Sequence, residues 1–342
     1  MSILHDEIHE QPHALDLTLA LNRGAVAELA RAIRKRDIRF ICIAARGTSD
    51  NAATYAQYLF QILVGVPVGL ATPSVQTLYD ASVRYAGDTL VIGISQSGQG
   101  EDINEVVRQA RSTGALTAAI TNTESAPLAR IAEHVLLCGV GREHAVAATK
   151  TYTSTLAILA ALAAEWSGSV PLRDGLDRVG DSATASLSVE DGVRALAQTL
   201  IHAERFLTVA RGPHLSTALE AALKIAETTG SPTQSFSSAD LQHGPIASVA
   251  VRTPCLLFQP AGRTQAGMTE IADLLRTRGA RVIRFLPTTE TADDITLHDT
   301  GTELLAPLVD ILPAQLLAYH LTVARGLDPD NPVGLSKVTI TR

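Results

Sequence analysis

The stretch RFICIAARGTSDNAATYAQYLF, residues 39–60, carries the clearest fold signal in the sequence. Its apolar, β-branched run predicts a strand, and its alanine-rich second half predicts a helix after a polar turn. A second stretch, RFLTVARGPHLSTALEAALKI at residues 205–225, repeats the same order. Gly47 and Gly212 occupy equivalent places in the two stretches and are 165 residues apart. The sequence therefore predicts two copies of one α/β unit in tandem.

Short apolar runs alternate with helical patterns in each copy, and these runs are nearly continuous rather than alternating. Continuous runs are typical of a parallel sheet covered on both faces, with helices as the crossovers. We therefore predict an α/β protein with two tandem flavodoxin-like or Rossmann-like units, each a parallel sheet flanked by helices on both faces. The predicted strands are 39–45, 67–71, 89–94, 116–121, 134–138, 205–210, 253–258 and 281–286. The predicted helices are 14–35, 50–63, 75–85, 101–113, 125–132, 147–166, 190–203, 215–229, 266–278 and 312–325.

The two predicted domains are residues 1–185 and 186–342. A linker is expected at 167–189, because SGSVPLRDGLDRVGDSATASLSV is rich in Gly, Ser and Asp. The C-terminal tail, 327–342, contains two prolines and a glycine in DPDNPVG and is expected to wrap over the surface as a loop.

Composition excludes several classes of protein. An apolar share of 46% is enough for a large core and excludes wholesale disorder. A net charge of −7 and an aromatic share of 4% argue against nucleic-acid and anionic-membrane partners. The longest apolar helical stretch, about 156–164, is too short to cross a bilayer.

The cysteines and the N-terminus indicate the compartment. Cys42, Cys138 and Cys255 each lie in an apolar run, without the spacing of a zinc site, so we expect buried thiols in a reducing cytosol. MSILHDEIHEQP, at the N-terminus, lacks the apolar run of a signal peptide. We expect a cytoplasmic protein.

Two loops of the first copy are candidate anion sites. Gly47-Thr48-Ser49 follows the first predicted strand, and Ser95-Gln96-Ser97-Gly98-Gln99-Gly100 follows the third. Each opens a helix, where free backbone N–H groups, hydroxyls and glycines together suit a phosphate. The alternative is two ordinary helix N-caps. Neither nucleotide-binding glycine motif is present, so the anion is expected on a sugar.

The second copy carries different chemistry. Glu220, Lys224 and Glu227 have i,i+4 and i,i+3 spacing and share one helix face. A buried cluster would suit proton transfer, and the alternative is a solvated salt-bridge ladder. His243 lies in a loop, LQHGP, and is either functional or an ordinary loop histidine.

The N-terminal histidines raise the question of a metal. His5, His9 and His13 have the spacing of a helical metal site, but we expect a frayed, solvated end. Since no other grouping has metal-ligand spacing, we predict no metal and no redox cofactor.

Motifs spread from residue 7 to 339 show a resemblance to a known family. The chain resembles the isomerase half of glucosamine-6-phosphate synthase and its glutaminase-less relatives, which are built from two tandem sugar isomerase (SIS) domains. The matching motifs are Glu7-Ile8-His9-Glu10-Gln11-Pro12, Gly47-Thr48-Ser49, Ser95-Gln96-Ser97-Gly98, Ala147-Ala148-Thr149-Lys150, Leu219-Glu220-Ala221-Ala222-Leu223-Lys224, His243-Gly244-Pro245 and Leu335-Ser336-Lys337-Val338-Thr339.

The resemblance implies a role for each matching residue. The phosphate of the sugar would be held by Thr48, Ser49, Ser95, Gln96 and Ser97. Glu227 would move a proton between C1 and C2, and His243, from the partner subunit of a homodimer, would assist ring opening. Lys337 would contact the carbonyl end of the sugar. Glu220, Lys224 and the backbone at Val146 would line the site.

Two departures from the family pattern affect the expected substrate. Gln99-Gly100 replaces the Glu-Thr that follows Ser-Gln-Ser-Gly in the synthase, so a phosphate-binding hydroxyl is lost at Gly100. Because residue 1 already lies at the sugar-isomerase region, we expect no glutaminase domain and no glutamine-dependent amination.

We therefore predict an aminosugar-phosphate deaminase that converts glucosamine-6-phosphate and water to fructose-6-phosphate and ammonia. Three related activities on the same scaffold stay open: a fructosamine-6-phosphate deglycase, a galactosamine-6-phosphate deaminase/isomerase and a ketose–aldose phosphate isomerase. A non-catalytic sugar-phosphate sensor is a more distant alternative.

Overall fold

The structure, a computed structural model, describes residues 2–337. The strands are β1 Phe40–Ala44, β2 Val68–Leu70, β3 Thr89–Ile94, β4 Leu116–Thr121, β5 His134–Leu137, β6 Phe206–Ala210, β7 Thr233–Ser237, β8 Pro254–Phe258, β9 Arg281–Leu286 and β10 Ile295–Thr296. The helices are α1 Ile3–His9, α2 Gln11–Arg36, α3 Thr48–Val64, α4 Ser74–Thr77, α5 Glu101–Ser112, α6 Pro127–Ile131, α7 Lys150–Ser167, α8 Val170–Leu176, α9 Val179–Leu187, α10 Glu190–Thr199, α11 Leu215–Thr229, α12 Ser238–Gln242, α13 Gln265–Thr277 and α14 Ala306–Ala324.

Two five-stranded sheets have the same topology. The first has the order β2-β1-β3-β4-β5, and the second, counted from its other edge, has the order β7-β6-β8-β9-β10. All pairs are parallel; Ile43 of β1, for example, is in register with Leu70 of β2 and Ile92 of β3. In each sheet the first strand in sequence lies between the second and the third, which places a topological switch point beside it. The predicted α/β fold with a tandem repeat is confirmed.

The described residues form two compact units. The first unit comprises residues 13–143 and 150–177 and contains the first sheet. The second unit comprises residues 2–12, 144–149 and 178–337 and contains the second sheet. Short segments from early in the chain therefore belong to the unit that holds the C-terminal sheet, and the predicted division between residues 185 and 186 stays a prediction.

Both faces of the first sheet are covered. Cys42, Ala44 and Val91 pack in one buried cluster with side chains of α5 and α6. Alternate residues such as Ile41 and Ile43 point to the opposite face and are also fully buried, under α3. Next to α3 lies α7, which is buried along most of its length within this chain, so the apolar stretch at 156–164 is core.

The second sheet is covered in the same way. Leu207 and Val209 of β6 pack with Leu257 of β8 and with α13 on one face. On the other face α11 packs on β6 and on α14. At Ala306–Ala324, α14 is long and apolar enough to span a membrane, but 89% of that window is buried inside the protein, as expected of a core helix.

Three predicted elements are wrong in extent or type, and two strands were missed. The helix predicted at 75–85 is only the single turn α4, and Asp80 beyond it has a positive φ of 49°. In the predicted linker lie α8 and α9; α8 begins where the Ser169 side chain accepts the N–H of Leu172. The final helix begins at Ala306 rather than 312 and continues through Pro313. Strands β7 and β10 were not predicted, because β7, with the sequence TQSFS, lacks an apolar run and β10 has only two residues.

The N-terminal helix α1 is held in the second unit, so the expected frayed end is wrong. The Asp330 carboxylate accepts the backbone N–H of Ile3 and of Leu4, each at 2.9 Å, and the Ser2 hydroxyl at 2.7 Å. These bonds satisfy donors that a helix start leaves open. Leu4 and Ile8 are buried.

All three cysteines are free and buried, as predicted. Burial raises the pKa of Cys138 to about 12 and that of Cys255 to about 12. Such thiols stay protonated at neutral pH and are poor nucleophiles.

The turn after β3 allows a direct test of packing. Gly98 has a φ of +62°, and a Cβ added there would meet the Cβ of Ala126 at 2.5 Å. Gly65, at the end of α3, has a φ of +68° and open space around it. We expect Gly65→Ala to cost about 1–2 kcal/mol of unfolding free energy from backbone strain. Gly98→Ala should cost about 1–3 kcal/mol more from overpacking.

Urea denaturation followed by circular dichroism measures both losses. Equal destabilisation by the two substitutions would contradict the close packing assigned to Gly98.

Candidate functional site

The two predicted anion-binding loops lie at the switch point of the first sheet. They leave the carboxyl ends of the neighbouring strands β1 and β3 and lead into α3 and α5. The N-cap residues are Gly47 and Gly100, and neither helix start has a side-chain cap. The hydroxyls of these loops therefore do not act as ordinary Ser/Thr N-caps. Each helix start directs backbone N–H groups and a partial positive charge to this edge of the sheet.

Serine hydroxyls shape the second of these loops. The Ser95 Oγ accepts the N–H of Gly98 at 3.1 Å, and the Ser97 Oγ accepts the N–H of Gln99 at 3.3 Å. A hydroxyl that accepts a backbone N–H keeps its own proton for donation. The loop hydroxyls and amide are half-buried, at Thr48, Ser49, Ser95, Gln96 and Ser97. Both loops thus offer donors on a restrained backbone.

An ion pair links the two loops and was missed from the sequence. The Arg46 Nε lies 3.1 Å from the Asp102 Oδ2, and the Asp102 side chain is 3% exposed while that of Arg46 is 50% exposed. Arg46 thereby neutralises the Asp102 carboxylate in the first turn of α5. The half-exposed guanidinium of Arg46 lies at the edge of the sheet. Burial raises the pKa of Asp50, and the nearby Arg46 partly offsets this. The sequence signal that could have indicated this pair was the basic residue immediately before Gly47.

Glu220, Lys224 and Glu227 form a connected ion cluster on α11 in the second unit. The Lys224 Nζ lies 3.3 Å from a Glu220 carboxylate oxygen and 2.6 Å from the Glu227 Oε2. The side chains of Glu220 and Lys224 are 0% and 2% exposed, and that of Glu227 is 24% exposed. The alternative of a solvated salt-bridge ladder is therefore wrong.

The charge state of Lys224 follows from its surroundings. Burial alone lowers the pKa of its amine, but the carboxylates of Glu220 and Glu227 outweigh burial and raise the pKa above its usual value. Lys224 is thus an ammonium at neutral pH, which suits it to electrostatic stabilisation and not to attack on a carbonyl as a free amine.

A cavity of about 430 Å³ adjoins Glu227. One wall is the C-terminal turn of α11, from Ala226 to Gly230, and the other includes Leu327, Asp328 and Asn331 of the segment after α14. A space of this size suits a small molecule. Within the second unit, the least buried carboxylate of the ion cluster therefore faces room for a ligand.

Val146 lies half-buried in a short segment of the second unit that the sequence did not place there. The buried Glu7 carboxylate accepts the backbone N–H of His144 at 2.6 Å and of Ala145 at 3.2 Å. These charge-assisted bonds fix the backbone immediately before Val146. They also give Glu7, the first residue of the EIHEQP motif, a positioning role.

The remaining predicted residues, His243 and Lys337, do not belong to the ion cluster. His243 follows α12 as its C-cap residue, is exposed, and precedes Gly244. Lys337 is half-buried and is the last described residue, so Val338 and Thr339 of its motif lie outside the described residues. A single chain thus groups Glu220, Lys224 and Glu227 and leaves His243 open to solvent.

The equivalent switch-point loop of the second sheet has a different character. Gly212-Pro213-His214 forms a 3-10 turn, and Pro213 has no N–H to offer an anion. The His214 Nε2 lies 2.8 Å from an Asp310 oxygen, and both side chains are buried. This loop faces inward, whereas the loop containing Thr48 and Ser49 stays accessible.

Comparison with known proteins relates both units to one domain type. The family model of the SIS domain matches residues 35–165 and 199–325. A glutamine–fructose-6-phosphate aminotransferase (isomerizing) from Methanothermobacter thermautotrophicus is 38% identical over 340 residues, covering 97% of this chain and 56% of that protein. The chain thus spans about half the length of the curated relatives it matches.

Solved structures match over nearly the whole chain. A Silicibacter pomeroyi protein assigned as a phosphosugar isomerase has a TM-score of 0.87 and 33% identity, covering 96% of this chain and 100% of that chain. A glucosamine-6-phosphate deaminase from Thermotoga maritima has a TM-score of 0.79 and 20% identity, covering 99% and 100%. At that identity the second match shows a shared fold.

The ion cluster predicts a specific pattern of stability. Lys224→Met leaves the carboxylates of Glu220 and Glu227 without their shared ammonium, and should lower the unfolding free energy by about 3–5 kcal/mol. The double variant Glu220→Gln/Lys224→Met also removes the buried carboxylate of Glu220, which would otherwise lack its ammonium partner, and should recover part of that loss. Urea denaturation of the wild type, both single variants and the double variant measures the coupling. Strictly additive losses would contradict a connected cluster.

Proposed function

Because this chain belongs to the SIS domain family, we propose that it is an enzyme acting on sugar phosphates. The specific reaction that we propose is the conversion of glucosamine-6-phosphate and water to fructose-6-phosphate and ammonia. The observation that carries the proposal is Glu227, a carboxylate beside a cavity of about 430 Å³ with a protonated Lys224 at 2.6 Å. A non-catalytic sensor would have no use for such a pair.

The comparisons support the substrate class. The aminotransferase relative, at 38% identity, is named for action on fructose-6-phosphate, and the Silicibacter pomeroyi protein, at 33% identity, is assigned to phosphosugar isomerisation. Both names concern the isomerisation of a phosphorylated sugar. Since the matched region covers 97% of this chain, the same substrate class is the economical proposal.

Binding of the phosphate is assigned to the first unit. The proposed donors are the hydroxyls of Thr48, Ser49, Ser95 and Ser97 with the Gln96 amide, together with the N–H groups at the starts of α3 and α5. Arg46, which neutralises Asp102, removes a repulsive charge from this edge. At Gly100 a backbone N–H takes the place of the hydroxyl found in the synthase motif.

Proton transfer is assigned to Glu227. In the proposed reaction the pyranose opens as His243 helps to move a proton from the C1 hydroxyl to the ring oxygen. Glu227 then removes the proton from C2 and returns a proton to C1 through an enolamine. The imine left at C2 adds water and releases ammonia, which leaves the ketone of fructose-6-phosphate.

The other predicted residues support this step. The Lys224 ammonium is ion-paired with the Glu227 carboxylate at 2.6 Å, and Lys224 or Lys337 would stabilise negative charge that develops on the sugar oxygen. Glu220 fixes Lys224, and the backbone at Val146 would line the sugar. We further propose a cytoplasmic homodimer in which the exposed His243 serves the neighbouring subunit's site.

A substrate panel tests the reaction and its relatives together. Ammonia release is expected from glucosamine-6-phosphate. Preferential release from galactosamine-6-phosphate, amine release from a glycated-amine 6-phosphate, or ketose–aldose conversion without ammonia would each replace the specific proposal with one of its relatives. No turnover of any phosphorylated sugar would contradict an enzymatic role.

Glu227→Gln removes the proposed base while preserving size. We expect the turnover number for ammonia release to fall by about 10²–10⁴-fold, the usual contribution of a general base. Glu270→Gln, an exposed change on α13, is the matched control and should behave as wild type. Activity of the Glu227 variant near that of the control would remove the assignment.

Ser97→Ala tests the phosphate loops. Loss of a hydrogen bond to a charged group costs about 1.5–3 kcal/mol, so KM for glucosamine-6-phosphate should rise by about tenfold or more with a small effect on kcat. Ser112→Ala, at the far end of α5, is the control. An unchanged KM in the Ser97 variant would contradict phosphate binding at this loop.

A further inference from the structure

Three imidazoles converge on one carboxylate in the second unit. The Nε2 atoms of His5 and His320 lie 2.7 Å and 2.9 Å from the same Glu190 oxygen, Oε1. The Nε2 of His9 lies 3.0 Å from the other oxygen, Oε2. One ligand atom each from His5, Glu190 and His320 can be chosen so that all lie within 4.8 Å of one another. This histidine cluster, His5, His9, Glu190 and His320, lies outside the site described above.

The histidine cluster is assembled from three helices that are far apart in sequence. His5 and His9 lie one turn apart on α1, Glu190 begins α10, and His320 lies within α14. Burial is graded: the His320 side chain is 9% exposed, that of Glu190 22% and that of His9 37%. The site is thus shielded on one side and open to entry of an ion on the other.

Hydrogen bonding fixes the orientation of the His9 ring. Its Nδ1 lies 3.0 Å from the carbonyl oxygen of His5, and a carbonyl can only accept, so Nδ1 is the donor. The Nε2 atom of the same ring is thereby directed at the Glu190 Oε2. An Nδ1–H bound to a backbone carbonyl is also the usual support of a metal-ligating histidine.

We propose that the histidine cluster is a binding site for a divalent transition-metal ion, with zinc as the expected occupant. Imidazole and carboxylate are both common zinc ligands, and metal–ligand bonds of about 2.0–2.2 Å require only a modest spreading of the present contacts. His5, Glu190 and His320 supply three protein ligands whose atoms lie within 4.8 Å of one another, and His9 lies beside them at the second Glu190 oxygen.

A metal at this place would secure α1 to the rest of the second unit. The same helix carries Glu7, which holds the backbone before Val146, and is capped by Asp330, in the segment that walls the Glu227 cavity. The site therefore braces two segments that the proposed reaction uses. The inference itself depends only on the histidine cluster and stands apart from the proposed reaction.

Titration calorimetry of the full chain, stripped of metal with a chelator, tests the site with zinc chloride. We expect one equivalent of Zn²⁺ to bind. His5→Ala and Glu190→Gln should each weaken binding by at least about tenfold, because loss of even a supporting residue has that effect. His13→Ala is the matched control, since His13 is exposed and lies outside the cluster, and it should bind as wild type.

Cobalt(II) substitution in the unmodified protein gives a second readout that does not depend on variants folding. Intense visible absorption, typical of four-coordinate cobalt, supports the proposal, and a weak spectrum typical of six-coordinate cobalt overturns it. Absence of stoichiometric zinc binding overturns the proposal as well. So does zinc binding that Glu190→Gln leaves unchanged, since the ion would then lie on other histidines.

Discussion

The buried ammonium of Lys224 is the constraint on which the candidate site depends. Two carboxylates of α11, from Glu220 and Glu227, share it, and Glu220 has no exposed side-chain surface. Without that cation, two neighbouring carboxylates on one helix face would repel each other. With it, the Glu227 carboxylate is ion-paired beside a cavity. One fixed charge thus stabilises the helix and holds the proposed base in place.

The N-terminal helix α1 orders two distant segments of the second unit, a role that its position in the chain does not indicate. Its carboxylate Glu7 holds the segment before Val146, and Asp330, which caps it, belongs to the segment that borders the Glu227 cavity. Both bonds join residues that are distant in sequence. Seven residues therefore order two loops, and the histidine cluster adds a further attachment at His5 and His9.

Much of the fold could be predicted, because strong local patterns specify it. The repeat of 39–60 at 205–225 and the apolar strands led to two sheets of one topology. The failures have physical causes: composition favoured a linker at 167–189, where the Ser169 cap starts a helix, and the helix predicted from 312 begins earlier, at Ala306, and is buried along most of its length. Long-range pairs such as Arg46 with Asp102 leave no local pattern in the sequence. By contrast, the i,i+4 and i,i+3 spacing of the charged residues on α11 predicted the ion cluster directly.

The central claim is that a carboxylate in the second unit moves a proton between adjacent carbons of a sugar phosphate. Nuclear magnetic resonance of glucosamine-6-phosphate turned over in deuterium oxide follows that transfer directly at C1 and C2. We expect C1 of the fructose-6-phosphate formed to carry solvent deuterium in those turnovers in which the carboxyl group exchanges its proton before return, and the proton from C2 in the others. Glu227→Gln should abolish both routes of transfer to C1. Transfer to C1 that continues undiminished in that variant would contradict the claim.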